Sequence, residues 1–283
     1  MTRGTMRRKV VSALFVGFCG ASVLLALLPL AFVLFYVVSQ GIQSLNLAFF
    51  IHTPAPVGEA GGGMANAIVG SVILVSLGAL FAIPIGIMSG IYMSEYAGTR
   101  FASLVRFAAD TLNGVPSIVI GVFVYGIAVL PFKQFSALAG GLALGTMMIP
   151  IIARTTEELL LLVPGTMREG ALALGATHAR AVFTVVVPSA LPGIITGLLL
   201  ALARIAGETA PLLFTALNNK FFSTTLTRPI ASLTVQIFNY ANSAYEDWHR
   251  QAWAGALVLV TIVLTCSLLA RFATRRLESM NTR

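Results

Sequence analysis

The sequence is poor in charge. Of its 283 residues, 18 are Lys or Arg and 10 are Asp or Glu, so charged residues make up 10% of the chain against 57% hydrophobic. Soluble domains carry roughly 25% charged residues. Together with a mean hydropathy of +0.91, this excludes an ordinary soluble domain and leaves an integral membrane protein. Lysine is scarcer still. Lys9, Lys133 and Lys220 are the only ones, and none is preceded by Gly and followed by Ser or Thr, which excludes a P-loop on this chain. His52, His178 and His249 fall on three separate loops without the spacing of a metal-binding HExxH, and no serine sits in a nucleophile elbow. Neither a metal site nor a membrane hydrolase is expected. The two cysteines, Cys19 and Cys266, lie inside apolar runs and read as small hydrophobes without redox meaning.

Long uncharged runs stand where the charges are missing. Lys9 to Glu59, Glu59 to Glu95, Asp110 to Lys133, Lys133 to Arg154, Arg180 to Arg204 and Arg250 to Arg271 each leave room for a membrane helix, which needs about 20 residues. Six spans are predicted. The basic N-terminus resembles a signal peptide, but its apolar run continues to about Val38, beyond the roughly 7 to 15 residues of a cleaved segment. It is expected to remain as a first helix over about 10–38. With that end inside, 13 of the 18 basic residues fall on the cytoplasmic side. Both termini are therefore expected in the cytoplasm, and the net charge of +8 reads as topology rather than a nucleic-acid patch.

The stretch from Ser39 to Met64, with its "HTPAPVGEAGGG", reads as an external loop. Helix two is predicted over Ala65 to Met93, kinked at Pro84, and "SEYAGTRFASLVRF" reads as an inside turn. Helix three is predicted near Ala109 to Leu130, "PFKQF" as an outside turn, and helix four over Ser136 to Ala153. Recurrent Gly and Ala on these helices read as packing positions, since small residues let backbones approach in lipid. In "NYANSAYEDWHRQAW", Trp248 and Trp253 are expected near the interface, as anchors or beside a docking surface.

The connection after helix four, about 154–188, is too long for a simple link. "TMRE" offers a capping box, with Thr166 as N-cap and Glu169 reaching back. Pro164 and Gly165 end the preceding helix, and Gly175 suits a left-handed stop. The prediction is a short exposed helix, a glycine turn, a second short amphipathic helix, and re-entry into the membrane at Pro188. Such a knob suits docking to a cytoplasmic partner. The run Glu169-Gly170-Ala171, three residues, Gly175, nine residues, Val185, then Val187-Pro188 resembles the loop signature of permease subunits of bacterial ABC importers. In that family the loop couples the permease to its ATPase. Gly170 replaces the central Ala of the signature, and Val replaces its Ile and Leu.

"LARIAGETAPLL" places Arg204 and Glu208 inside an apolar helix. A charge at mid-membrane costs roughly 2.5 to 3.5 kcal/mol on insertion-based scales, so something must offset it. Four residues apart on a continuous helix, the two would share a face and pair as a structural bridge. Alternatively Arg204 meets an anion in a hydrated path, its planar donors matching phosphate oxygens, while Glu208 balances the charge or accepts from a protonated phosphate oxygen. The Gly-Glu-Thr of this stretch, which includes Thr209, resembles that of the phosphate-specific (Pst) members of the family. The following Ala-Pro-Leu, and "LNGVPSIVIGVFVY" from Leu112 to Tyr125, are more similar to the A-type than to the C-type subunit.

The resemblance implies an all-α integral membrane fold like that of type I ABC importer permeases. It would be one transmembrane domain over 1–283, with its core over about 66–271. It implies a phosphate importer in a bacterial inner membrane, with a PstC-like second permease, two PstB-like ATPases that bind ATP with magnesium, and a PstS-like external binding protein. The chain itself would contact lipid and no nucleic acid, and would hold no cofactor. An ABC permease for another solute, or an ion-coupled secondary transporter, are the rival readings. The latter is expected to show inverted repeats and broken helices, which the sequence does not declare.

Overall fold

Buried residues recur at every fourth position along one helix, all but one of them Gly or Ala, and that stripe sets the centre of the fold. In the computed structural model, which describes residues 3–56, 59 and 61–281, helix α3 (Ala65–Glu95) buries Gly70, Leu74, Gly78, Ala82, Gly86 and Gly90. A stripe of this spacing forms one ridge along a helix. It lies against α6 (Ala137–Leu161), capped at its start by the Ser136 hydroxyl, which accepts from the Ala139 amide at 3.1 Å. A β-carbon on Gly86 would stand 2.7 Å from the Ile152 side chain, and one on Gly90 would stand 2.6 Å from the Ala153 carbonyl. The two backbones can meet only because these positions are bare. Leu74, Ala82, Leu144, Met148 and Ile152 form the middle of the resulting core. Pro84 sits within α3 without ending it.

The described residues hold no β-strand, only an isolated bridge between Pro54 and Gly62. Five helical runs are long and apolar enough to cross a membrane: 11–44, 65–95, 137–161, 178–206 and 246–269. A bent pair of helices is the candidate for a sixth crossing. Helix α4 (Arg100–Gly114) turns by 105° into α5 (Ser117–Val124), which continues as a π-helical turn over Tyr125–Val129. The single helix expected over Ala109 to Leu130 is thus broken. Pro116 is the cause, because its ring drives the preceding Val115 to extended backbone (ψ 130°). The inside turn expected over "SEYAGTRFASLVRF" ends at Thr99, whose hydroxyl accepts from the Ala102 amide and starts α4.

The first helix, α1 (Arg3–Gly41), stands largely apart from the core and is exposed along most of its length. It touches the last helix, α12 (Glu246–Asn281), near one end. There the Tyr36 and Trp253 rings meet edge to face at 5.0 Å, and a β-carbon on Gly41 would stand 2.8 Å from that of Leu257. The loop after α1 carries a short helix, α2 (Leu47–Ile51), capped by the Asn46 side chain. Trp248 is half-buried, stacked on Tyr240 at 4.5 Å and under the Lys220 ammonium at 5.4 Å.

The long connection after α6 folds as α7 (Gly165–Ala173), a glycine turn, α8 (His178–Ala181) and a π-helical turn (Val182–Val186). It then runs into α9 (Val187–Ala206). Two expectations change here. The first two turns of the connection, from Arg154, belong to α6. The second short helix joins α9 without a gap, so Pro188 marks no new entry. Proline clashes with the carbonyl four residues before it, and the widened π-helical turn just ahead of Pro188 accommodates the ring.

Candidate functional site

Helix α9 stops at Ala206, with Gly207 as its C-cap, and α10 (Ala210–Thr215) begins with Pro211 in its first turn. Proline pre-sets a helix start and glycine permits a stop, so the same dozen residues that place charge in the membrane also break the helix there. The Gly207 and Glu208 amides donate to the Arg204 and Ile205 carbonyls, closing the last turn. Buried Thr234, on α11 (Leu233–Ala241), donates its hydroxyl to the Glu208 carbonyl at 2.8 Å. Its neighbour Leu233 donates its amide to the Ser71 hydroxyl of α3 at 2.7 Å. Helix α10 lies against α5, where a β-carbon on Gly121 would stand 2.6 Å from the Pro211 α-carbon. The two broken segments therefore pack on each other.

The Arg204–Glu208 bridge, one of the two readings the sequence left open, does not form. Arg204 sits exposed on the last turn of α9, while Glu208 and Thr209 lie half-buried beyond its end. Because the helix ends between them, four residues no longer means one face. Among the described residues Arg204 has no ion-pair partner. Gly193 and Gly197 of α9 face Leu159 and Thr155 of α6, and Ile205, two turns further on, packs in the cluster that holds Leu144 and Met148, so the Arg204 backbone runs beside the middle stretch of α6.

At the opposite end of α9 the connection forms a knob. Gly175 takes φ +85°, its amide donates to the Leu172 carbonyl, and the Ala176 amide donates to Ala171. These are the two bonds of a Schellman stop, as the glycine spacing predicted. The capping box does not form. Pro164 is the N-cap, so Thr166 and Glu169 lie inside α7 and no side chain caps it. A proline already in extended backbone (ψ 133°) starts the helix earlier than the threonine can. Glu169, Gly170, Gly175 and Pro188 are exposed and Ala171 is half-buried. Helix α7 buries no residue. Leu174, which the sequence reading passed over, stands 91% exposed at the tip.

Two buried carboxylates were also missed. Glu157 on α6, 1% exposed, accepts from Arg106 of α4 (Nε, 2.8 Å, and Nη2) and from Arg154 (Nη1, 2.5 Å). Arg154 also reaches Asp110 at 3.0 Å. Glu95, at the end of α3, takes Arg168 of α7 on one oxygen and faces His178 of α8 with the other. The link from Arg154 to Glu157 was readable from helical spacing. The links from α4 to α6 and from α3 to α7 join distant stretches and leave no local signal.

Comparison with known proteins places this geometry. The family model described as binding-protein-dependent transport system inner membrane component matches residues 82–280. The phosphate transport system permease protein PstA of Yersinia pestis is 47% identical over 252 residues, covering 89% of this chain and 85% of that one. PstA of Haemophilus influenzae is 44% identical, covering 93% and 94%. Among solved structures, an inward-facing MetNI methionine ABC transporter shares the fold with a TM-score of 0.57 at 19% identity, covering 78% of this chain and 95% of that one. An amino acid ABC transporter with histidines does so with a TM-score of 0.56, also at 19% identity, over 75% and 93%. A bundle with a broken span, an exposed knob between its fourth and fifth crossings and these relatives is a multi-pass membrane permease, and the chain belongs to the family of inner membrane components of binding-protein-dependent transport systems.

Proposed function

We propose that this chain is the phosphate-conducting permease subunit of an ATP-driven importer in a bacterial inner membrane. The observation that carries the substrate is Arg204. An arginine whose backbone runs beside the middle of α6, exposed at a helix break and without an ion-pair partner among the described residues, needs an anion or water to offset the cost of a charge within a membrane span. The PstA relatives supply the anion's identity. Phosphate offers oxygens that suit the arginine fork, and Glu208 and Thr209 follow on the same break to take a protonated oxygen or donate to a bare one.

Both termini and the knob face the cytoplasm in this reading. The knob, through Glu169, Gly170, Ala171 and Gly175, seats on one of two PstB-like ATPases that hold ATP with magnesium. A PstC-like subunit completes the path and a PstS-like protein delivers the anion from outside. ATP binding closes the ATPase pair, the knobs move with it, and the path alternates between outward and inward access. Reconstituted with these subunits, the complex is expected to take up radiolabelled phosphate only when the ATPase is present and active, and to ignore sulfate. Uptake without the ATPase would overturn the transporter class. ATP-driven uptake of another solute but not of phosphate would overturn the substrate.

A further inference from the structure

Helix α7 of the knob is tied to the bundle by one carboxylate, whereas the turn after α8 packs Val182 and Val186 in a cluster with Ile91 and Leu160. Helix α7 buries no residue, so apolar packing does not fix it. Instead Arg168 donates from Nη2 (2.7 Å) and Nε (3.1 Å) to one Glu95 oxygen, and also reaches the Leu160 carbonyl at the end of α6 at 3.4 Å. The other Glu95 oxygen faces His178 Nε2 at 3.4 Å, so both short helices of the knob meet the same side chain. That side chain is only 4% exposed, against 23% for Arg168 and 52% for His178. Charge-assisted bonds of this kind are about twice as strong as neutral ones.

Glu95 is also the last residue of α3, and α3 runs uninterrupted to the other side of the bundle. Near its far end the Ser71 hydroxyl accepts from Leu233, and the next residue, Thr234, donates to the Glu208 carbonyl in the break beside Arg204. One continuous helix therefore meets the knob at its last residue and, near its first, is linked through Leu233 and Thr234 of α11 to the α9–α10 break. We infer that Glu95 is the positioning residue through which movement of the knob reaches that break, with α3 as the connecting rod. The inference rests on the proposed docking of the knob to an ATPase.

The test uses the whole reconstituted complex, with Cys19 and Cys266 replaced by Ser and a reporter, Gly207→Cys, in the break. A β-carbon there would have the Arg204 carbonyl at 3.6 Å as its nearest neighbour, an ordinary contact. With Glu95 intact, ATP is expected to change the rate at which the reporter reacts with a soluble maleimide. In Glu95→Gln, the ATPase subunits should co-purify and hydrolyse ATP as before. The ATP-dependent change in labelling should vanish, and phosphate taken up per ATP should fall about tenfold, within the usual range of coupling between sites. Combining Glu95→Gln with Arg168→Gln should do no further harm, since partners in one link are not additive. If Glu95→Gln fails to assemble, Arg168→Gln alone carries the same test. An unchanged labelling response and unchanged uptake per ATP would overturn the clasp while leaving docking intact. Docking itself is read from Leu174→Asp, which should strip the ATPase subunits from the complex. Their retention would overturn docking, and the clasp with it.

Discussion

Arg204 is the residue on which the substrate reading turns, and the break after it changes what a mutation there means. Without a bridge to Glu208, no structural ion pair is lost when the guanidinium is removed. Arg204→Met is therefore expected to leave assembly and thermal stability near wild type while abolishing phosphate uptake. Arg204→Lys should retain partial uptake at best, because a point charge replaces a planar fork. Normal uptake by a well-assembled Met variant would remove Arg204 from the path. As a charge in an apolar run Arg204 was legible from sequence. Its freedom from Glu208 was not legible from spacing alone, because four residues mean one face only on an unbroken helix, and Gly207 and Pro211 break this one.

Helices and turns carry the second set of consequences. Gly175 sits at φ +85° with open space around its α-carbon, so only backbone strain opposes a side chain there. For a β-branched residue that strain is about 1 to 3 kcal/mol. Gly175→Val is expected to tilt the knob without unfolding the bundle. In purified complexes ATP hydrolysis should persist while uptake per ATP drops several-fold, and full coupling would show that the turn is not needed. This turn was readable because left-handed glycines announce themselves locally. The bent pair α4–α5 was not, although Gly114, Val115 and Pro116 stood in view. Counting uncharged residues finds the length of a span and is blind to a corner within it. The capping box failed for a similar reason: Thr166 and Glu169 match a motif, but Pro164 had already started the helix.

Across the whole molecule, the pairing of α3 with α6 organises the rest, and its bare ridge invites a direct challenge. Gly86→Leu would drive a side chain into Ile152, and overpacking of this kind costs about 1 to 3 kcal/mol. A lower melting temperature in detergent, with the anion preference of the surviving protein unchanged, is the expected result. An unchanged melting temperature would show that the two backbones have room to part. The glycines were legible as packing positions, but their partners were not. Glu157 finds Arg106 51 positions away and Glu95 finds Arg168 73 away, distances over which one sequence holds no record of contact. The exposed first helix has a consequence of another kind, for the order in which the protein is made. Helix α1 leaves the ribosome well before α12, and the α3–α6 core has little to offer it. Within this chain it therefore finds its helical partner only once α12 has been made. Its long apolar run, which lies within a candidate span of 34 residues over Val11–Ser44, lets it survive that wait, and the Tyr36–Trp253 contact is among the last to close in the newborn protein.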